Sequence, residues 1–201
     1  MEDFLALVPA RTRVWIDETY VDYAGPSESL EAVVASSRNA VVCKSMSKVY
    51  ALSGARAAYL CAPPAIAAAL LEITPPWAVS LPAQVAAVKA LEDPEYYAAR
   101  YRETHLLREA LAASLRVAGF DVVPSVGNFL LCQLPAESAP AATVSRRCRM
   151  RGLYVRDAGE ISPRLGARAL RIAVKDEQTN QRIVEILKWA MLPVVQTSQF
   201  Q

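Results

Sequence analysis

The chain has 201 residues, of which 53% are hydrophobic and 21% charged, with a formal net charge of +2. That length can bury one or two cores, the near-neutral charge argues against a nucleic-acid surface, and no apolar stretch is long enough to span a bilayer. Cys43, Cys61, Cys132 and Cys148 are widely separated and mostly lie in apolar runs. They read as reduced core residues, not as a metal cluster or a disulfide set. The lone histidine, His105, falls in a charged helical segment and reads as a surface residue, which removes Ser-His and Cys-His hydrolase schemes. Met1-Glu2-Asp3 opens acidic, without a secretory or transit pattern, so a cytoplasmic location is expected.

In chain order, residues 13–17 read as a strand and 28–36 as a short helix, with Ser27 or Ser29 as N-cap. Strands are expected at 40–44 and 56–62, and Pro63-Pro64 opens an alanine-rich helix to about Glu72. Thr74 to Leu81 is a loop. A helix over 82–92 is broken at Asp93-Pro94, and a long helix follows over 95–118, stopped by Gly119. Its charges at Arg100, Arg102, Glu103, Arg108 and Glu109 sit beside Leu106, Leu107, Leu111 and Leu115 at helical spacing. Beyond it come strands over 120–123 and 128–134, a helix over 141–151, strands over 153–156 and 169–174, and a helix over 176–190. The first part alternates helix and strand, which argues an α/β layer with a mostly parallel or mixed sheet. The second part has an α+β pattern. A boundary near Asp93 gives units at 1–93 and 94–192, with a polar, frayed tail at 193–201.

One stretch carries chemistry. Lys44-Ser45-Met46-Ser47-Lys48 follows a short buried strand, and Arg56 stands eight residues beyond Lys48. A lysine amine can form a Schiff base with a carbonyl. Ser45 and Ser47 offer hydroxyls, and the planar fork of Arg56 suits phosphate oxygens. Together they could hold a phosphorylated aldehyde; a solvated basic turn between strands is the bland alternative. Upstream, Asp17-Glu18-Thr19-Tyr20 closes another apolar run, and ligands in open α/β sheets bind beyond the carboxyl ends of the strands. A carboxylate there could keep a pyridine nitrogen protonated, and the tyrosine could bond a ring oxygen.

The ordered series D-E-T-Y, S-M-S-K and S-G-A-R resembles the fold-type I pyridoxal-phosphate aminotransferases, in particular their histidinol-phosphate branch. Gly127-Asn128-Phe129-Leu130-Leu131, Gly152-Leu153-Tyr154-Val155-Arg156 and Leu170-Arg171-Ile172-Ala173-Val174 agree with it, and the resemblance runs from about residue 3 to residue 190. It implies part of a large cofactor-binding α/β domain followed by a small α+β domain, with pyridoxal 5'-phosphate as cofactor. Lys48 would carry the cofactor and act as general base. Asp17 would hold the ring nitrogen's proton, Tyr20 would bond the phenolic oxygen, and Ser45, Ser47 and Arg56 would hold the phosphate. Arg171 and Arg156 match substrate-anion arginines, although strand-end arginines facing solvent are the plain reading of both. Asn128 is a candidate site-lining amide or a turn residue. Arg146, Arg147, Arg149 and Arg151 read as one solvated helix face, and Arg164 and Arg168 as loop residues that could approach the site, which the sequence does not decide. The implied partners are a small amino donor and a 2-oxo acid such as 2-oxoglutarate, in a homodimer. A phosphothreonine-type decarboxylase of the same superfamily and a non-catalytic truncated domain are the competing readings.

The chain also departs from that family. Trp77-Ala78 stand where the family has Tyr-Asn, Ala57 replaces a glycine, and Lys44 replaces a common arginine. The family's N-terminal half, with its phosphate loop, stacking aromatic and asparagine, is not in this sequence. The chain is therefore expected to be a piece of a longer fold, with unpaired sheet edges and uncovered apolar faces.

Overall fold

The computed structural model describes residues 2–192, so the tail expected at 193–201 lies outside the described residues. Contacts divide the chain into two compact units, Met1–Tyr101 and Arg102–Gln201, and the division falls inside the long helix.

In the first unit, helix α1 (Glu2–Leu7) precedes strand β1 (Val14–Asp17), helix α2 (Glu31–Ala35), strand β2 (Ala40–Ser45) and strand β3 (Ala58–Cys61). Helices α3 (Pro64–Ile73) and α4 (Leu81–Leu91) follow, each with proline in its first turn, where the missing N–H is no loss. The sheet is mixed: β1 runs parallel to β2 and β3 antiparallel to it. Side chains alternate across it. Val14, Ile16, Ala40, Val42 and Cys61 point to one face, where they pack with Val34, Leu5 and Leu30. The other face carries Trp15 and Leu60, both exposed. A second small core joins Met46, Ala57, Ala83 and Ala90.

The helix expected over 28–36 is shorter. Pro26–Glu28 form a 3-10 turn, and Ser29 Oγ donates to Glu18 Oε2 at 2.8 Å while accepting only a long bond from Glu31 N at 3.4 Å. Leu30 N also goes to Glu18, at 2.7 Å, so a side chain from another segment takes donors the helix would have used.

Helix α5 (Pro94–Val117) leads into the second unit, with strands β4 (Asp121–Val122) and β5 (Phe129–Gln133), helix α6 (Ala141–Met150), strands β6 (Arg156–Asp157) and β7 (Ala169–Ala173), and helix α7 (Glu177–Met191). The sheet is wholly antiparallel in the order β4-β5-β7-β6. Leu130, Cys132, Leu170 and Ile172 face a core completed by Leu111 and Leu115 of α5, Val144 and Cys148 of α6, and Ile183 and Leu187 of α7. Gly119 ends α5 at φ 90°, a conformation glycine adopts without strain. Asp176 caps α7 by accepting from Thr179 N at 2.9 Å.

Three expectations for this unit change. The strand expected over 153–156 begins only at Arg156. Gly152 is left-handed, and Gly152 N and Leu153 N turn back to Arg149 O and Cys148 O, capping α6 instead of pairing with β7. Arg108, grouped by its spacing with the helix charges, is buried and donates to Val126 O at 2.7 Å, whereas Leu106, grouped with the apolar positions, is exposed. His105, expected at the surface, is half-buried. The four cysteines are free thiols, with Cys132 and Cys148 buried and Cys43 and Cys61 only half-buried. Among the described residues no group could hold a metal ion, and no helix is long and apolar enough to cross a membrane.

Candidate active site

Parallel pairing brings the C-terminal ends of β1 and β2 to the same end of the first sheet, which is where ligands bind in such sheets. Asp17, the last residue of β1, is the Cα partner of Cys43. Ser45, the last residue of β2, is the partner of Ala58, two residues after Arg56. By alternation Asp17, Cys43 and Ser45 share the face opposite the α2 side. Asp17 is exposed, and its Oδ1 accepts from Thr19 N at 2.9 Å and Thr19 Oγ1 at 2.5 Å. Tyr20, half-buried, precedes a single 3-10 turn, Val21–Tyr23.

The lysine loop is closed at its base by Met46, whose N donates to Ala57 O at 3.1 Å and whose O accepts from Leu52 N at 3.0 Å. Its side chain is buried, so the residues on either side of it are held in place. Those are Ser45 and Ser47, whose hydroxyl oxygens lie 2.8 Å apart. Lys48 follows, exposed. Ala51 and Arg56 both adopt left-handed backbone, at φ 55° and 54°, a strain of roughly 1–3 kcal/mol each that characteristically collects at functional loops. Arg56 NH1 donates to Ser53 O at 2.9 Å, which holds the start of its own loop. Trp77, exposed and also left-handed, lines an apolar cleft of ≈450 Å³ with Met46, Ala57, Ala78 and Val88.

Behind this sheet end lies a cluster that the motifs did not reveal. Lys44 is only 4% exposed and its Nζ lies 3.4 Å from Glu31, 3.6 Å from Glu18 and 3.8 Å from Asp22. Tyr59, the Cα partner of Lys44, donates from its hydroxyl to Glu31 Oε1 at 2.8 Å. Burial pushes the Asp22 carboxyl up, with Lys44 pulling against it. Burial also pushes the Tyr50 phenol up to about 12, and raises those of Tyr59 and Tyr101. A readable signal was available: Lys44 sits one strand position before Ser45 and must therefore face the other way.

In the second unit Arg156 and Arg171 are Cα partners across β6 and β7, so both lie on the sheet face turned away from Leu170 and Ile172. Like charges directly opposite are unfavourable by themselves and suit a shared anion. The Arg171 guanidinium sits 3.9 Å over the Phe129 ring, a cation–π contact. Arg156 also lines a cleft of ≈540 Å³ with Arg146, Arg149 and Tyr154. Asn128 is half-buried just before β5, and its carbonyl accepts from Val174 N at 2.9 Å. Arg168, left open by the sequence, donates to Pro135 O at 2.8 Å. Of the arginines expected to form one solvated face, Arg147 is half-buried with its guanidinium 5.3 Å over the Trp189 ring, and the exposed Arg151 lies 3.8 Å over the same ring.

A profile described as "Aminotransferase class I and II" matches residues 1–187. The chain belongs to this aminotransferase family. It is 35% identical to a histidinol-phosphate aminotransferase from Acinetobacter baylyi over 191 residues, which cover 94% of this chain and 51% of that one. It is 33% identical over 199 residues to an aromatic amino acid aminotransferase from Nocardia farcinica, covering 97% and 52%. The fold matches the crystal structure of histidinol-phosphate aminotransferase from Sinorhizobium meliloti in complex with pyridoxal-5'-phosphate, with TM-score 0.85, 23% identity and coverage of 94% and 51%. The chain thus spans about half the length of these relatives.

The first unit's residues fit that cofactor chemically. An exposed primary amine is available for an aldehyde, two hydroxyls and a guanidinium for a phosphate, and a carboxylate for a ring nitrogen. Lys48, Asp17, Tyr20, Ser45, Ser47 and Arg56 all lie in the first unit, and Arg156, Arg171 and Asn128 in the second.

Proposed function

We propose that this aminotransferase chain binds pyridoxal phosphate at Lys48 and serves amino transfer between an amino acid or amino phosphate of the histidinol-phosphate kind and 2-oxoglutarate. The observation that carries this reading is the convergence of the Asp17, Ser45–Lys48 and Arg56 segments at one end of the first sheet. The two arginines opposed across β6 and β7 support an anionic, phosphate-bearing substrate over a plain amino acid, because a phosphate ester offers oxygens enough for both.

Bound pyridoxal phosphate supplies an electron sink for the charge left when a proton leaves the substrate's α-carbon. The protein's residues do the rest. Lys48 would hold the cofactor through its amine and would serve as the general base for the substrate's α-proton. Asp17 would keep the ring nitrogen protonated, and Tyr20 would hold the ring's phenolic oxygen. Ser45, Ser47 and Arg56 fix the phosphate, Arg171 and Arg156 the substrate's anionic end, and Asn128 lines the substrate side. In this reading residues 1–93 belong to the large domain and 94–192 to the small one, and the full-length enzyme is a cytoplasmic homodimer.

The test is borohydride reduction of the chain with pyridoxal phosphate, followed by peptide mass spectrometry. The pyridoxyl mass is expected on Lys48 and is lost in Lys48→Ala. Label retained by that variant on another lysine, or no cofactor colour in the folded wild type, sinks the assignment. Carbon dioxide released in place of a transferred amino group would move the activity to the decarboxylases.

A further inference from the structure

The site residues of the first unit sit on separate segments, and something must hold those segments in register. Asp17 is followed by Glu18, Ser45 is preceded by Lys44, and Tyr20 stands two residues before Asp22. Glu18, Lys44 and Asp22 are the groups drawn together behind the sheet end. We infer that Lys44 is a positioning residue: its buried ammonium, set among Glu18, Asp22 and Glu31, locks the end of β1 and the turn after it, which present Asp17 and Tyr20, to the end of β2, which presents Ser45 to the cofactor. The inference rests on the proposed cofactor reading and deepens it.

Four observations carry it. Lys44 and Glu18 are both almost fully buried, and neither charge is tolerable there alone. Glu18 is saturated by two segments at once: from the turn before α2 it accepts from Ser29 Oγ at 2.8 Å and Leu30 N at 2.7 Å, and on β2 it faces Lys44 at 3.6 Å while its own N donates to Cys43 O at 2.9 Å. Glu31 joins β3 to the same ammonium through the Tyr59 hydroxyl. Finally, strand alternation turns Lys44 away from the face that carries Ser45, so it acts on the cofactor residues only through the backbone they share. A supporting shell of this kind sets how tightly a site is held.

The experiment compares wild type, Lys44→Arg, Lys44→Met and Glu18→Gln in the full 201-residue chain. It measures the dissociation constant for pyridoxal phosphate by visible absorbance, and amide hydrogen exchange at Glu18 and Leu30. In Lys44→Met both amides are expected to exchange about tenfold faster and the cofactor to bind about tenfold more weakly, with the β5 and β7 amides unchanged. Lys44→Arg, which keeps the charge, is expected to restore both readouts. Should Lys44→Met not fold, Glu18→Gln, which keeps an oxygen for Leu30 N, is judged by the same two measurements. A folded Lys44→Met or Glu18→Gln that binds pyridoxal phosphate as wild type does overturns the inference, as does Lys44→Arg behaving like Lys44→Met. A wild type that takes up no pyridoxal phosphate removes the cofactor reading itself, and the inference with it.

Discussion

Lys44→Met is the most informative stability change in this protein. The substitution keeps an unbranched side chain of similar length and removes one charge. Lys44 and Glu18 are 4% and 5% exposed, so Glu18 is left buried without its counter-ion. Removing one partner of a buried pair costs about 3–5 kcal/mol. The Asp22 and Glu31 side chains are 19% and 35% exposed and can turn toward water, which favours the lower end, about 3 kcal/mol. For a unit of roughly 100 residues that lowers the Tm by at least about 12 °C. The pH dependence has a defined sign. Burial raises the Asp22 carboxyl above the ordinary carboxylate range, with Lys44 opposing. A carboxyl whose folded pKa lies above its unfolded one weakens the fold as pH rises through that window, and acid relieves it. Losing Lys44 moves Asp22 further up, so the variant's deficit must narrow between neutral pH and about pH 4.5. Urea unfolding followed by far-UV circular dichroism at both pH values measures this. A loss below about 1 kcal/mol at neutral pH, or a deficit that widens in acid, refutes the reasoning.

Other changes address separate parts of the molecule. Leu170→Ala, at a fully buried position in β7, is expected to destabilise by about 2–5 kcal/mol in denaturant titration, with faster exchange in β5 and α7 and none of the loss in β2. Gly119→Ala forces an alanine to φ +90° and puts its Cβ 3.2 Å from Pro135 Cγ; a loss of about 1–2 kcal/mol is expected in the same titration. The Asp176 carboxyl is held below its usual range by the bonds from Thr179 N and Thr179 Oγ1. The stability it gives α7 is present above the ordinary carboxylate range and lost as pH falls through its lowered pKa. Asp176→Ala should therefore melt below wild type at neutral pH and alongside it in strong acid.

Local chemistry made most element positions readable. The apolar runs that became β1, β2, β5 and β7, the prolines opening α3 and α5, and Gly119 closing α5 all act within a few residues of themselves. The ordered motifs nominated Lys48, Asp17, Ser45 and Arg56, and the register of β1, β2 and β3 brings their segments to one end of the sheet. What only the tertiary structure decided depends on partners distant in sequence. Glu18 shortened α2 by taking Ser29 and Leu30, a contact across eleven and twelve residues. The register of β6 on β7 set Arg156 opposite Arg171, and the Val126 carbonyl drew Arg108 out of a charged helix face into the interior. Lys44 is the sharpest case. Its neighbours in sequence make it look like a variant of a basic turn, and only the meeting of β1, β2, β3 and α2 surrounds it with three carboxylates. Residue order settles what a segment can form by itself, but a buried charge acquires its meaning from whichever groups folding brings against it.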